Sequence, residues 1–151
     1  GNEFIDAYNV KTFSKLAYEA KELGMPIIAE CFPANACNLS PEELHHQVYI
    51  GSRIAAELGA DMIKTFHTYK FEEVVKSCPI PILGLGANKT PTQIQALELA
   101  ESIVRDGGRG VIFGRNALQV PNPIAFQKAL LDVVQGGVPP AEAAENHNLA
   151  D

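Results

Sequence analysis

The stretch "GADMIKTFHT", residues 59–68, decides how this chain is read. Met62-Ile63-Lys64-Thr65-Phe66 has the apolar, β-branched character of a buried strand, and a single cation interrupts it. A buried ammonium is costly unless it is paired, neutralised or used. Strand residues of one parity share a face, so Met62, Lys64 and Phe66 look the same way. If that face lines a barrel interior, desolvation and nearby cations favour the neutral amine that Schiff-base chemistry requires. The alternatives are a lysine whose stem is buried while its head reaches water, and one held in a structural ion pair.

Outward from this strand the pattern alternates. Val10, Phe13, Leu16, Ala17, Ala20 and Leu23 recur at helical spacing, and Gly24 supplies a stop. "MPIIAECF" (25–32) reads as a strand. In "SPEEL" (40–44), Ser40 suits an N-cap, Pro41 the first helical position and Glu43 a capping box, which predicts a helix to about Leu58. After the lysine strand come a short helix at 71–76, the strand "PIPILGLG" (79–86), a helix at 92–105, the strand "GVIFG" (110–114) and a helix at 123–134. The tail "GGVPPAEAAENHNLAD" is expected to hold a helical turn or two and otherwise to lie on the surface. Continuous apolar strands between amphipathic helices mean a parallel sheet covered by helices, joined by right-handed crossovers.

An open doubly wound sheet and part of a (β/α)8 barrel both fit that order. A whole barrel takes about 250 residues, so 151 residues supply about half of one. The opening "GNEFIDAYNV" has no Met and reads as the end of a strand entering a helix. The expectation is therefore a single α/β domain over 1–151, the C-terminal half of a (β/α)8 TIM barrel, strands five to eight.

Hydrophobic content of 46% and charged content of 20% are those of an ordinary globular domain. No run approaches the ~18 apolar residues of a membrane span. A net charge of −6 without a Lys/Arg cluster argues against nucleic acid and anionic membranes as partners, though not against a small anion in a local pocket. Cys31, Cys37 and Cys78 are odd in number and match no zinc spacing, so a reduced, cytoplasmic setting and no metal are expected. Cys31 reads as a small packed residue.

Two later stretches give the lysine a context. "LGLGANKT" (83–90) places Gly84 and Gly86 at a strand end, ahead of Asn88, Lys89 and a helix. "GVIFGRN" (110–116) ends on Gly114, Arg115 and Asn116. Strand-end glycines let backbone N–H groups approach an anion, and barrel enzymes often bind phosphate after strands seven and eight. Together with Lys64 they point to a phosphorylated carbonyl substrate.

Three segments, "RIAAELGADMIKTFHT", "CPIPILGLGANKTP" and "GRGVIFGRNALQ", jointly resemble the archaeal-type class I fructose-bisphosphate aldolase family. That family includes a thiolase branch acting on 3-hydroxy-5-phosphonooxypentane-2,4-dione. The resemblance runs to about Gly137. It implies a (β/α)8 barrel with Lys64 as the Schiff-base lysine and no cofactor. It implies phosphate binding by the Gly86-Ala87 turn, where the family has two glycines, and by Gly114 and Arg115, with Lys89 nearby. It also implies a ring-like homo-oligomer.

Two departures follow. Aldolases of the family carry a proton-transferring tyrosine in a "YP" pair, where this chain has Phe32-Pro33, and phenylalanine moves no proton. Glu30 has the same parity as Phe32, and two readings stay open: it faces Lys64 across the barrel, as a general base or merely as an ion-pair partner, or it points to solvent at the strand end. The thiolase branch also lacks the tyrosine. The family's acidic residue on the first strand has no counterpart here, so that half belongs to a longer protein or to another chain. Three functions stay open: a Schiff-base lyase or its thiolase-like sibling, a phosphosugar-binding module without chemistry, and a half-barrel fragment with exposed edges that associates.

The remaining motifs have plainer readings. His45 and His46 point about 100° apart on a helix and suit a solvated first turn, with no HExxH arrangement. His67 either reaches substrate from the rim or caps its strand. Asp61 lies at the N-terminal end of a strand, the stability face of a barrel. "GLG" lacks the rest of a dinucleotide fingerprint.

Overall fold

The lysine strand packs against the helix that precedes it, and one of its faces is buried while the other is half-buried. The computed structural model describes residues 3–149. It divides into two compact units, one ending at Ile82 and the other beginning at Leu83. In the first, α1 (Glu3–Glu22) precedes β1 (Ile28–Cys31), α2 (Pro41–Glu57), β2 (Met62–Thr65) and α3 (Phe71–Ser77). β1 and β2 are parallel, in a register that sets Ile28 beside Met62 and Glu30 beside Lys64.

Local chemistry sets these boundaries. Ser40 Oγ accepts from the Glu43 N–H at 3.2 Å, and Glu43 Oε2 accepts from the Ser40 N–H at 2.9 Å. This closes the expected capping box. The Ser40 backbone bond, then its side-chain bond, hold the Glu43 carboxyl below the usual carboxylate range. Gly24 takes φ +66 after α1, a conformation that costs other residues about 1–2 kcal/mol. At the start of β2, Asp61 Oδ2 accepts from the Ile27 N–H at 2.8 Å, the structural part expected of it. Val48, Ile63, Phe71 and Val74 are wholly buried and form this unit's core.

Residues Glu3–Val10 depart from expectation. They continue α1 rather than ending a strand. No glycine or proline lies between Glu3 and Leu23 to break the helix. Gly1 and Asn2 lie outside the described residues.

The second unit runs from β3 (Ile82–Leu85) through α4 (Gln93–Arg105), β4 (Val111–Ile112), α5 (Arg115–Leu118) and α6 (Pro123–Gly136) to α7 (Pro140–Asn146). β3 and β4 are parallel, with Gly84 beside Val111. Thr92 caps α4 by a reciprocal box with Gln95. Leu97, Ala100, Phe126, Ala129 and Ala143 are wholly buried together. Two elements differ from the sequence reading. The short helix α5 was not expected. The tail is not mainly surface, because Ala143 and Ala144 on α7 bury into the core against α4 and α6. Alanines are small enough to bring α7 close to its neighbours. Among the described residues, no helix is long and apolar enough to cross a membrane.

Gly84 owes its identity to packing. A Cβ there would overlap three side-chain carbons of Ile103, which is itself wholly buried. Gly84→Ala is expected to destabilise the chain by about 1–3 kcal/mol, the usual cost of overpacking. Denaturant unfolding of the variant measures this; an unchanged midpoint would show that Ile103 can yield.

Candidate active site

Alternation on β2 separates chemistry from core. Ile63 and Thr65 are wholly buried, whereas Met62 and Lys64 on the other face are half-buried. The Lys64 side chain retains 26% of its exposure, and its Nζ lies 2.8 Å from Glu30 Oε1. Glu30 therefore meets the lysine, but from the adjacent strand rather than across a barrel, because the register places the two side by side. With Glu30 52% exposed, the pair is wet, and such pairs contribute about 0–1 kcal/mol. It is a contact that another ligand of the lysine can displace at small cost.

One step further along both strands, the rings of Phe32 and Phe66 lie 4.7 Å apart. Phe66 is buried and Phe32 exposed. The position expected of a tyrosine thus presents a bare aromatic surface. His67 packs its ring 5.0 Å from Phe71.

His45 departs from its expected solvated setting. Its Nδ1 is 3.1 Å from Thr68 Oγ1 and its Nε2 3.5 Å from Glu73. Its ring also lies edge-on to Tyr69 at 5.3 Å. It ties α2 to the segment after β2. His46 stays exposed, as expected. Behind the sheet, Thr65 Oγ1 donates to the Cys31 carbonyl at 2.9 Å. Burial pushes the Cys31 thiol up, against weaker lowering by the Thr65 and Ser52 side chains.

The second unit holds the expected phosphate residues. Gly86 is buried, while Ala87 and Lys89 are exposed on the turn after β3. Gly114 and Arg115 are exposed where β4 passes into α5. Ala87 adopts φ +46, the left-handed region a second glycine would occupy without strain. Arg115 Nη2 donates to the Ala87 carbonyl at 2.8 Å. A Cβ on Gly86 would meet Asn116 Nδ2 and Phe113 Cδ1, each at 2.9 Å, so tight packing requires this glycine. A Cβ on Gly114 would meet nothing within 4 Å, so its glycine leaves open space beside the backbone.

The residue missing from the expected set is Asn116. It is 2% exposed. Its Nδ2 donates to the Gly86 carbonyl at 2.9 Å and the Asn88 carbonyl at 3.1 Å. Its Oδ1 accepts from the Thr90 N–H at 2.8 Å. The available signal was its place beside Arg115 in "GRN", but burial of an asparagine is not legible from one sequence.

These parallel strands and their covering helices are those of part of a (β/α)8 barrel. The chain belongs to the DeoC/LacD family of aldolases, whose model matches residues 2–120. It is 34% identical over 137 residues to the 3-hydroxy-5-phosphonooxypentane-2,4-dione thiolase of Escherichia coli, covering 89% of this chain and 44% of that one. It is 36% identical over 132 residues to an uncharacterised aldolase of Pasteurella multocida, covering 85% of this chain and 43% of that one. An archaeal fructose 1,6-bisphosphate aldolase superposes with a TM-score of 0.75 at 29% identity, over 85% of this chain and 52% of the other. A Schiff-base-forming fructose-1,6-bisphosphate aldolase gives 0.74 at 30% identity, over 83% and 51%. The barrel fold expected from the sequence is thus shown, as is the kinship with these aldolases. The chain spans about half the length of the curated relatives it matches.

Two outcomes test this geometry. Ala87→Gly removes left-handed strain of about 1–2 kcal/mol but adds about 0.5–1 kcal/mol of backbone entropy loss, so it is expected to be neutral to mildly stabilising. A clear loss in thermal unfolding would contradict the strained turn. Alkylation followed by mass mapping at mildly alkaline pH is expected to mark exposed Cys37 first. Cys31 should react late, gaining rate only as pH climbs past the ordinary thiol range, since only thiolate reacts. Equal rates would show that α2 does not shield it.

Proposed function

We propose that this chain is the C-terminal half of a single TIM-barrel domain and carries the Schiff-base machinery of a class I aldolase-type enzyme. The substrate proposed is a phosphorylated sugar or ketone. The observation that carries the reading is the 2.8 Å contact between Lys64 and Glu30 on an open strand face. In the proposed reaction the Lys64 amine adds to the substrate carbonyl carbon, and water leaves to give an iminium. Loss of a proton to a base from the hydroxyl beyond the scissile bond releases an aldehyde, and the iminium nitrogen takes up the electron pair of the breaking carbon–carbon bond to give an enamine. Protonation and hydrolysis of that enamine free the second product and Lys64. Glu30 accepts the proton that the lysine gives up before attack, as a general base within hydrogen-bond reach. The Gly86-Ala87 backbone, Lys89, Gly114 and Arg115 bind the phosphate, whose capture orients the carbonyl. Arg115 uses one N–H on Ala87, and its fork offers further donors suited to an anion.

A second reading has its own support. Phe32 offers no proton, and the Escherichia coli relative is named a thiolase of a phosphorylated dione. In that reading the same imine precedes acyl transfer instead of aldol cleavage. A reducing, cytoplasmic setting is consistent with the three free cysteines, and we propose that the complete enzyme is a homo-oligomer.

Borohydride reduction in the presence of dihydroxyacetone phosphate, followed by peptide mapping, tests the central step. In the complete enzyme the adduct is expected on Lys64, and Lys64→Ala is expected to abolish trapping and turnover. Glu30→Gln keeps the shape but not the base and is expected to slow turnover by about 10²–10⁴-fold. Turnover retained by Lys64→Ala would remove the imine mechanism and leave a phosphosugar-binding role.

A further inference from the structure

We infer that Asn116 is the positioning residue of the phosphate cradle, the group that turns the backbone N–H donors of the 86–90 turn toward the anion. The inference rests on the phosphate reading proposed above and adds to it a residue that touches no substrate.

Three successive carbonyls of the turn are held by two neighbouring side chains. Asn116 takes Gly86 and Asn88, and Arg115 takes Ala87, at 2.8–3.1 Å. A trans peptide is planar, and its N–H points opposite its C=O. Holding the carbonyls of Gly86 and Asn88 on one amide nitrogen therefore directs the N–H groups of Ala87 and Lys89 away from it, while Arg115 fixes the Ala87 carbonyl of the peptide between. Successive N–H groups aimed to one side form an anion-binding concavity, which needs a left-handed residue in the run. Ala87 at φ +46 is that residue.

The acceptor end of Asn116 closes the turn. Oδ1 receives the Thr90 N–H at 2.8 Å and faces the Thr90 hydroxyl at 3.4 Å, and that hydroxyl donates to the Thr92 carbonyl at 2.8 Å. Thr92 is the N-cap of α4. One amide thus links the strand end, the turn and the start of the following helix. Two donors and one acceptor in fixed geometry are what a primary amide provides. Aspartate would lose the donors, and alanine both ends. The missing Cβ of Gly86 supplies the room in which the amide sits.

The test compares the phosphorylated and unphosphorylated forms of one ketone in the complete enzyme. The rate of borohydride trapping at Lys64 is measured with dihydroxyacetone phosphate and with dihydroxyacetone, and inorganic phosphate is titrated as a competitor. For Asn116→Ala the preference for the phosphorylated ketone is expected to fall by about tenfold or more, mostly through KM, with weaker inhibition by phosphate. Asn116→Asp, which keeps volume and the Thr90 acceptor, is expected to fall similarly, and thermal unfolding reports whether each variant is folded. If folded variants keep the preference, or lose both reactions in parallel, Asn116 is only structural and the inference fails while the phosphate reading stands. If the unsubstituted enzyme shows neither a preference for the phosphorylated ketone nor inhibition by phosphate, the phosphate reading itself fails and takes the inference with it.

Discussion

Alternation along β2 is the constraint on which the rest depends. Ile63 and Thr65 must go under α2 because burying that face stabilises the unit by roughly 25 cal/mol for each Å² of apolar surface removed from water. Once they do, Lys64 has no choice of face. A one-residue slip would bury the ammonium and expose Ile63, both unfavourable. Parallel pairing with β1 then fixes which side chain meets the lysine, and the register makes it Glu30. The core thus selects the partner of Lys64.

Much of this order was legible because it is written in local chemistry. The capping box at Ser40 and Glu43 gave α2 its first residue, whereas the helix read over 92–105 begins one residue later, at Gln93, because Thr92 is its cap. The alternation of apolar runs gave four strands and the parallel class. What was not legible depended on contacts between distant residues. The first turns of α1 carry no start signal, so they were read as the end of a strand. α7 looked like surface because its alanines and prolines have little hydrophobic pattern; only the core against which they fit makes them interior. His45 followed the same rule: its partners Thr68 and Glu73 come from the next β/α segment.

The candidate site divides similarly. Lys64, Gly86, Gly114 and Arg115 stood out because residue type at a strand or strand end carries information. The geometry at Ala87 was not legible from residue type: φ +46 is a conformation that alanine rarely adopts and glycine adopts without strain. Gly86 was noticed for its place at a strand end, and packing gives a second reason for the glycine. Its lack of a Cβ accommodates Asn116 and Phe113. That distinction lies in packing and cannot be read from a glycine's position in a sequence.

The two sets of residues differ in how firmly they are held, and the difference suits their proposed tasks. The lysine's ion pair is half in water and is worth about 0–1 kcal/mol, so a carbonyl competing for the amine has little to overcome. The turn after β3 is held by several buried or half-buried bonds from Asn116, each contributing about 0.5–1.5 kcal/mol. A covalent nucleophile must exchange its partner in every turnover, whereas an anion cradle gains from having its donors already oriented, since ordering them on binding would cost affinity. A loosely held amine and a tightly held turn are therefore the energetic arrangement a phosphate-anchored imine enzyme requires.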